Sequence, residues 1–236
     1  MNCSTGIKKT LNSHGISGIL REFIHSVIHL IILIIAAGKI CWINAWVCFG
    51  MSLLYQVVNT IVLMKVNPQL LNKRGILIKE NTKNFDKIFI TLYIPFALSV
   101  SVIAGFDAVR YSWSHMSFEI SVLGIVIYVL ACMFALWAMV VNPHFEATVI
   151  IQNKEHQVCT SGPYKVIRHP GYAAAIIGAP SYPLILGSWW GLVPTGILIL
   201  LFIIRTTLED CTLQKELSGY SEYANRTRYR LVPFVW

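Results

Sequence analysis

A run of apolar blocks near the length of a bilayer crossing constrains this chain most: Phe23 to Ala37, Ile40 to Met64, Ile88 to Phe106 and Phe118 to Val141. A crossing helix takes roughly 17–25 predominantly apolar residues. Two further blocks, Gly171 to Leu186 and Trp190 to Ile204, are short for a crossing and are punctuated by Pro180, Pro183 and Pro194. They predict a kinked helical hairpin that tilts or dips. The expected fold is all-α: a polytopic transmembrane helical bundle of about six spans, the last two forming the hairpin. Composition agrees, since 56% hydrophobic residues with 13% charged is too apolar for an ordinary soluble domain. The chain divides near residue 141 into N-terminal transmembrane helices (1–141) and a C-terminal part (142–236) that carries most of the polar motifs.

The first block ends in Ala36-Ala37-Gly38 after a stretch holding Lys8 and Lys9, a pattern shared with secretory signals. It is long for a signal's apolar region, and the next block starts at once with Ile40, so it is expected to remain as a span. The formal net charge of +8 suggests nucleic acid, but a membrane protein's charge bias accounts for it better. With the N-terminus inside and six spans, the inside segments hold Lys8, Lys9, Arg21, the cluster from Lys65 to Lys87, Lys154, Lys165, Arg168 and every base from Arg205 to Arg230. The outside loops hold only Lys39 and Arg110. This distribution places both termini and the polar C-terminal motifs on the cytoplasmic side.

Cys3, Cys41, Cys48, Cys132, Cys159 and Cys211 form no C-x-x-C pair and no metal-ligand spacing. Neither a disulfide framework nor a metal site is expected, and the glycine-rich nucleotide signatures are absent.

After Asn142-Pro143 the sequence changes character. The mixed segment from His144 to His169 is long for a connection inside a compact membrane protein, and such segments are usually functional. It runs into Gly162-Pro163-Tyr164-Lys165-Val166-Ile167-Arg168-His169-Pro170-Gly171-Tyr172, where two prolines bend the backbone and hold it partly extended. So many donors at the edge of a bilayer are costly unless they bind something. A second cluster, Arg205-Thr206-Thr207-Leu208-Glu209-Asp210, puts Arg205 and Glu209 on one helix face. That pair is either a surface salt bridge worth little or, because Arg205 lies where the last apolar block meets water, a guanidinium able to fork onto a carboxylate. Singly, these residues have plainer readings: His169 as an imidazole satisfied by a backbone carbonyl, Tyr164 and Tyr172 as interfacial aromatics, and Arg226, Arg228 and Arg230 as anchors to anionic headgroups.

Together, Gly162-Pro163-Tyr164, Arg168-His169-Pro170-x-Tyr172, Arg205-x-x-x-Glu209-Asp210 and Tyr220-x-x-Tyr223 with a basic run to Pro233 resemble the isoprenylcysteine carboxyl methyltransferase family, which belongs with the phospholipid methyltransferases. Asn142-Pro143-His144-Phe145 and Gln152 are similar to its bacterial and archaeal branch. The resemblance covers about Leu136 to Trp236. It implies an integral-membrane methyltransferase core over 142–236, with a cytoplasmic pocket for S-adenosylmethionine closed by a C-terminal helix. The implied cofactor contacts are His156, Gln157, Val158, Cys159, Tyr164, His169, Pro170, Gly171, Tyr172 and Glu209. The implied acceptor-side residues are Gln152 and Arg205, with Arg205 the residue expected to carry catalysis. Two positions depart from the family pattern: Ala174 stands where glycine is usual and Asp210 where a second glutamate is usual, so only Glu209 of the acidic pair is carried over.

Transfer of a methyl group from a sulfonium is an in-line displacement in which positioning dominates. A carboxylate acceptor is already ionised and needs an arginine to orient it, whereas an amine would need a base such as His169 or Glu209. The implied partner is a lipophilic or prenylated acceptor, small molecule or peptide, within membrane lipid and without nucleic acid. Two other classes stay open: an NADPH-dependent membrane reductase of the sterol-reductase type, and a non-catalytic lipid-binding protein that kept the fold.

Overall fold

The computed structural model describes residues 10–146, 148 and 157–236. The side-chain oxygen of Asn12 accepts from Gly15 N at 3.0 Å and starts α1 (Ser13–Ala37) well ahead of the apolar block. Gly38, at φ 67°, ends it with its N–H on Ile34 O. There follow α2 (Ile43–Val66), the short α3 (Pro68–Arg74), α4 (Asn84–Gly105), whose last turn widens into a π-helix over Phe106–Arg110, and α5 (Phe118–Val141). After the single 3-10 turn Gly162–Lys165 come α6 (Pro170–Gly178), α7 (Ser181–Leu186), α8 (Leu192–Glu216) and α9 (Tyr220–Arg226). Among the described residues there is no strand, only an isolated parallel bridge between Ile167 and Tyr229.

Five of these helices are long and apolar enough to cross a membrane: Ser13–Ala37, Ile43–Val66, Asn84–Arg110, Phe118–Val141 and Leu192–Glu216. The expected hairpin is present in altered form. Its second arm is not short, because α8 runs 25 residues without a break and carries the last apolar block and the Arg205–Asp210 cluster on one rod. Its first arm is broken. Pro180 and Pro183 lack the amides that would bond the carbonyls of Ile176 and Ala179, so α6 stops and α7 restarts, with Ser181 Oγ donating to Gly178 O at 2.5 Å across the gap.

Buried polar contacts show how far this broken arm travels. At one end of the bundle, Asp86 at the start of α4 meets Arg205 of α8. At the other, Asp107 in the π turn accepts from Ser114 Oγ and Ser188 Oγ, both at 2.6 Å, and from Trp190 N at 3.2 Å. Those acids are one helix apart, on the order of 30 Å. The α6–α7 segment runs from His169, at the Asp86 end, to Ser188, at the Asp107 end, so it traverses the bundle as a sixth, broken pass. Close packing binds the passes together. At Gly105 a Cβ would lie 2.5 Å from that of Ala36 and 2.9 Å from Ala37 N, so α1 and α4 touch backbone to backbone. His29 Nδ1, Ser101 Oγ and the Tyr182 hydroxyl, at 2.6 and 3.1 Å, tie α1, α4 and the broken arm inside the apolar body.

Candidate active site

The end of the bundle that carries Asp86 also gathers the C-terminal part of the chain. Pro170 is at the first position of α6, where its fixed φ suits a helix start and its missing N–H costs nothing. This leaves His169 as the cap, with its ring against Asp210 of α8. The backbone is fixed from outside as well: Arg168 N donates to Tyr229 O at 2.9 Å and His169 N to Arg230 O at 3.0 Å, so the tail lies beside the motif like a short strand.

Asp210 is the centre of this region. It is fully buried and accepts from five side chains or faces their cations. Its Oδ1 accepts from the Tyr220 hydroxyl at 2.9 Å and lies 3.1 Å from His169 Nε2 and 3.3 Å from Arg168 Nε. Its Oδ2 accepts from Arg230 Nε at 3.0 Å and Gln214 Nε2 at 2.8 Å. Charged partners make such bonds strong, and burial makes each of them consequential. Since a carboxylate only accepts, the network assigns the His169 proton to Nε2. Nδ1 then faces Glu209, 3.9 Å from Oε1.

Glu209 lies one residue earlier on α8 and points to the other side of His169, where its Oε2 accepts from the Tyr172 hydroxyl. The rings of His169 and Tyr172 stack at 5.8 Å and 14°. One turn back on α8, Arg205 is buried, with Nη2 2.8 Å from Asp86 Oδ1. Its guanidinium lies over Phe89 at 4.4 Å and over Tyr172 at 5.2 Å. Tyr172 therefore stands between Glu209 and Arg205, touching both. The open salt bridge that the i,i+4 spacing allowed is replaced by a buried pair with an acid from α4.

The remaining expected residues form the wall of this region. Tyr164 is buried; its hydroxyl accepts from Asn142 Nδ2 at 3.1 Å and its carbonyl from the Tyr223 hydroxyl at 2.7 Å. Val158 and Cys159 pack against it together with Leu213 and Leu217, while Gln157 and Leu208 are exposed. Burial pushes the phenols of Tyr164 and Tyr223 well up; for Tyr220 burial and then the Asp210 carboxylate do the same. All three are protonated phenols; Tyr220 and Tyr223 donate, and the Tyr164 hydroxyl accepts. A Cβ on Gly171 would lie 2.4 Å from the Phe145 ring, so that backbone accepts no side chain. Ala174, one of the two departures from the family pattern, is buried without strain in α6. Gln152 and His156 lie outside the described residues.

Sequence reasoning brought His169, Tyr172, Glu209 and Arg205 together, but it missed Asp86 and underrated Asp210. Asp86 did carry a signal: it is an acid in the first turn of a span, at the edge of an apolar block, where ionisable groups are expensive. Tyr220 and Arg230 belong to the resemblance as pattern residues only, and their inward direction could not be read from spacing.

No curated protein matches the chain. The matching family model, described as phospholipid methyltransferase, spans residues 120–218, from the second residue after the start of α5 to just beyond the end of α8, and this stretch of the chain is similar to that family.

Proposed function

We propose that this protein is an integral-membrane methyltransferase that uses S-adenosylmethionine and acts on a lipidic or prenyl-linked acceptor. The observation that carries the reading is the placement of Glu209, Tyr172 and Arg205 side by side at one end of a bundle whose residues 120–218 match a phospholipid methyltransferase family model. The donor set fits the cofactor. The Glu209 carboxylate is only partly buried, and a carboxylate takes an ammonium or sugar hydroxyls. The Tyr172 face suits positive charge. Glu209, Tyr172, His169, Pro170 and Gly171 would hold the cofactor, with Val158, Cys159 and Tyr164 as wall and His156 and Gln157 completing it. Bound there, S-adenosylmethionine supplies a sulfonium methyl open to in-line attack.

The chain's own residues position and do not react. Asp210 and Tyr220 fix the His169 ring, and His169 and Tyr172 stack so that the Tyr172 hydroxyl stays on Glu209. Arg205, held by Asp86, orients an acceptor carboxylate such as that of a prenylated cysteine, with Gln152 proposed beside it. A second reading has its own support. Asp86 already neutralises Arg205, which favours an uncharged or cationic acceptor, and the family description names phospholipids. A phosphatidylethanolamine-type amine would then need Glu209 or His169 as its base.

Thermal stabilisation of the purified protein tests the cofactor. S-Adenosylhomocysteine near a hundred times its dissociation constant should add about 2.7 kcal/mol, and Glu209→Gln should abolish the effect. Stabilisation by NADPH with none by S-adenosylhomocysteine would support the reductase alternative and refute this one; a response to neither would favour the non-catalytic alternative.

We also place this end of the bundle, with both termini, on the cytoplasmic side, because the Lys and Arg residues concentrate there. Two native cysteines provide the test. Cys41 and Cys211 are exposed at opposite ends. A membrane-impermeant maleimide applied to intact cells should modify Cys41 and spare Cys211; the reverse pattern would invert the topology.

A further inference from the structure

We propose that the C-terminal tail and the turn before α6 form a docking surface for the headgroup of an anionic membrane lipid. The surface is a groove of about 290 Å³ between Lys165-Val166 and the segment from Arg226 to Phe234. Lys165, Arg226 and Arg228 are exposed and line it, with Val166, Pro233 and Phe234 as its apolar part. The nearby acid offsets only part of this charge, in an exposed and therefore weak pair. Glu222 lies 3.7 Å from Arg226 Nη2 and is itself exposed. An oxygen of Trp236 is turned inward, accepting from the amides of Arg230, Leu231 and Val232 at 3.0–3.1 Å.

Two independent features identify the partner as lipid. First, the tail is level with the apolar body: Leu231 and Trp236 pack in one cluster with Phe134 of α5, Ala173 and Ile176 of α6 and Ile203 of α8. Groups at that depth meet acyl chains or the headgroup boundary. Second, Phe234 is 88% exposed and has φ 66°, a conformation that costs a bulky L residue energy. Val235 and Val232 beside it also point outward. The ring keeps a contact with Tyr229, 5.3 Å between centroids, and turns its remaining surface outward, as expected if it enters the bilayer while the basic residues of the same groove meet phosphate.

The groove also backs directly onto the site. The same tail that presents Arg228 outward turns Arg230 inward to Asp210, and Arg168 and His169 bond its backbone. A lipid seated on the outer face therefore pins the segment that holds Asp210 and His169 in place. This inference does not depend on which group is methylated, and its test reads lipid binding alone.

Full-length protein in neutral detergent is titrated with phosphatidylglycerol or with phosphatidylcholine of the same acyl chains, and retained lipid is counted by native mass spectrometry. Each basic residue near a headgroup contributes roughly fivefold, so phosphatidylglycerol should bind on the order of a hundredfold more tightly, with the preference falling as salt is raised. The K165Q/R226Q/R228Q variant should lose the preference while keeping its response to S-adenosylhomocysteine. Phe234→Ser should weaken both lipids equally. Equal binding of the two lipids by wild-type protein, or a preference that survives in the triple variant, would overturn the proposal. So would displacement of the lipid by millimolar inorganic phosphate, which would make the groove a site for free anions.

Discussion

Asp210→Ala should destabilise the folded protein by about 3–5 kcal/mol, the usual consequence of removing one partner from a buried ionic network. The carboxylate is fully buried and is shared by His169, Arg168, Arg230, Tyr220 and Gln214. Without it, Arg168 keeps its charge in a buried position and the Tyr220 hydroxyl loses its acceptor. The tail is also loosened, because Arg230 is one of its anchors into the bundle. The expected drop in melting temperature in detergent is on the order of 10 °C. A double variant, Asp210→Ala with Arg230→Leu, should recover part of the loss, since it removes one stranded cation as well as its partner. That recovery separates an electrostatic centre from simple loss of volume. A melting temperature unchanged in Asp210→Ala would mean that the network does not hold the tail.

The overall plan of the molecule was legible because the bilayer imposes it. Apolar blocks of crossing length have few alternatives, and α5 ends where its block does, at Val141. Boundaries were legible only where composition sets them. Asn12 and Ser13 extend α1 into polar sequence by capping, and α8 continues through Arg205 and Asp210 because nothing in that stretch breaks a helix. Windowed hydrophobicity registers neither cause. The prolines of the sixth pass foretold a break, but whether a broken segment dips or crosses depends on tertiary contacts such as Asp107 with Ser188.

In the site, local spacing worked inside one element and failed between elements. Arg205, Glu209 and Asp210 were correctly placed on one helix, yet their side chains diverge: Glu209 meets Tyr172, Asp210 meets His169, and Arg205 meets an acid more than a hundred residues away. The departure from the usual glutamate at Asp210 left it out of the residues carried over by the resemblance. Its side chain accepts from α9 and the tail while remaining buried, whereas Glu209 is only partly buried and faces Tyr172. Both results follow from adjacent residues on a helix pointing about 100° apart.

Arg205→Ala should lower turnover by a factor of about 10²–10³, in the range for loss of one donor aimed at developing or fixed charge, while S-adenosylhomocysteine still stabilises the protein. The two properties separate because Arg205 lies on the Asp86 and Phe89 side of Tyr172, and Glu209 lies on the other. Arg205→Ala turning over at the wild-type rate would remove it from the acceptor side. Asp86→Asn then distinguishes the two acceptors. It keeps an oxygen for Arg205 but withdraws the compensating charge, so the guanidinium becomes a stronger host for an anion and a worse neighbour for a cation. If the acceptor is a carboxylate, KM for it should fall in Asp86→Asn, with little change in the response to S-adenosylhomocysteine. If it is the ammonium of a phospholipid, KM should rise by roughly tenfold, about 1.4 kcal/mol of added repulsion. An unchanged KM for both would show that the Arg205–Asp86 pair acts only in holding α4 against α8. The variant would then differ from wild type in thermal stability alone.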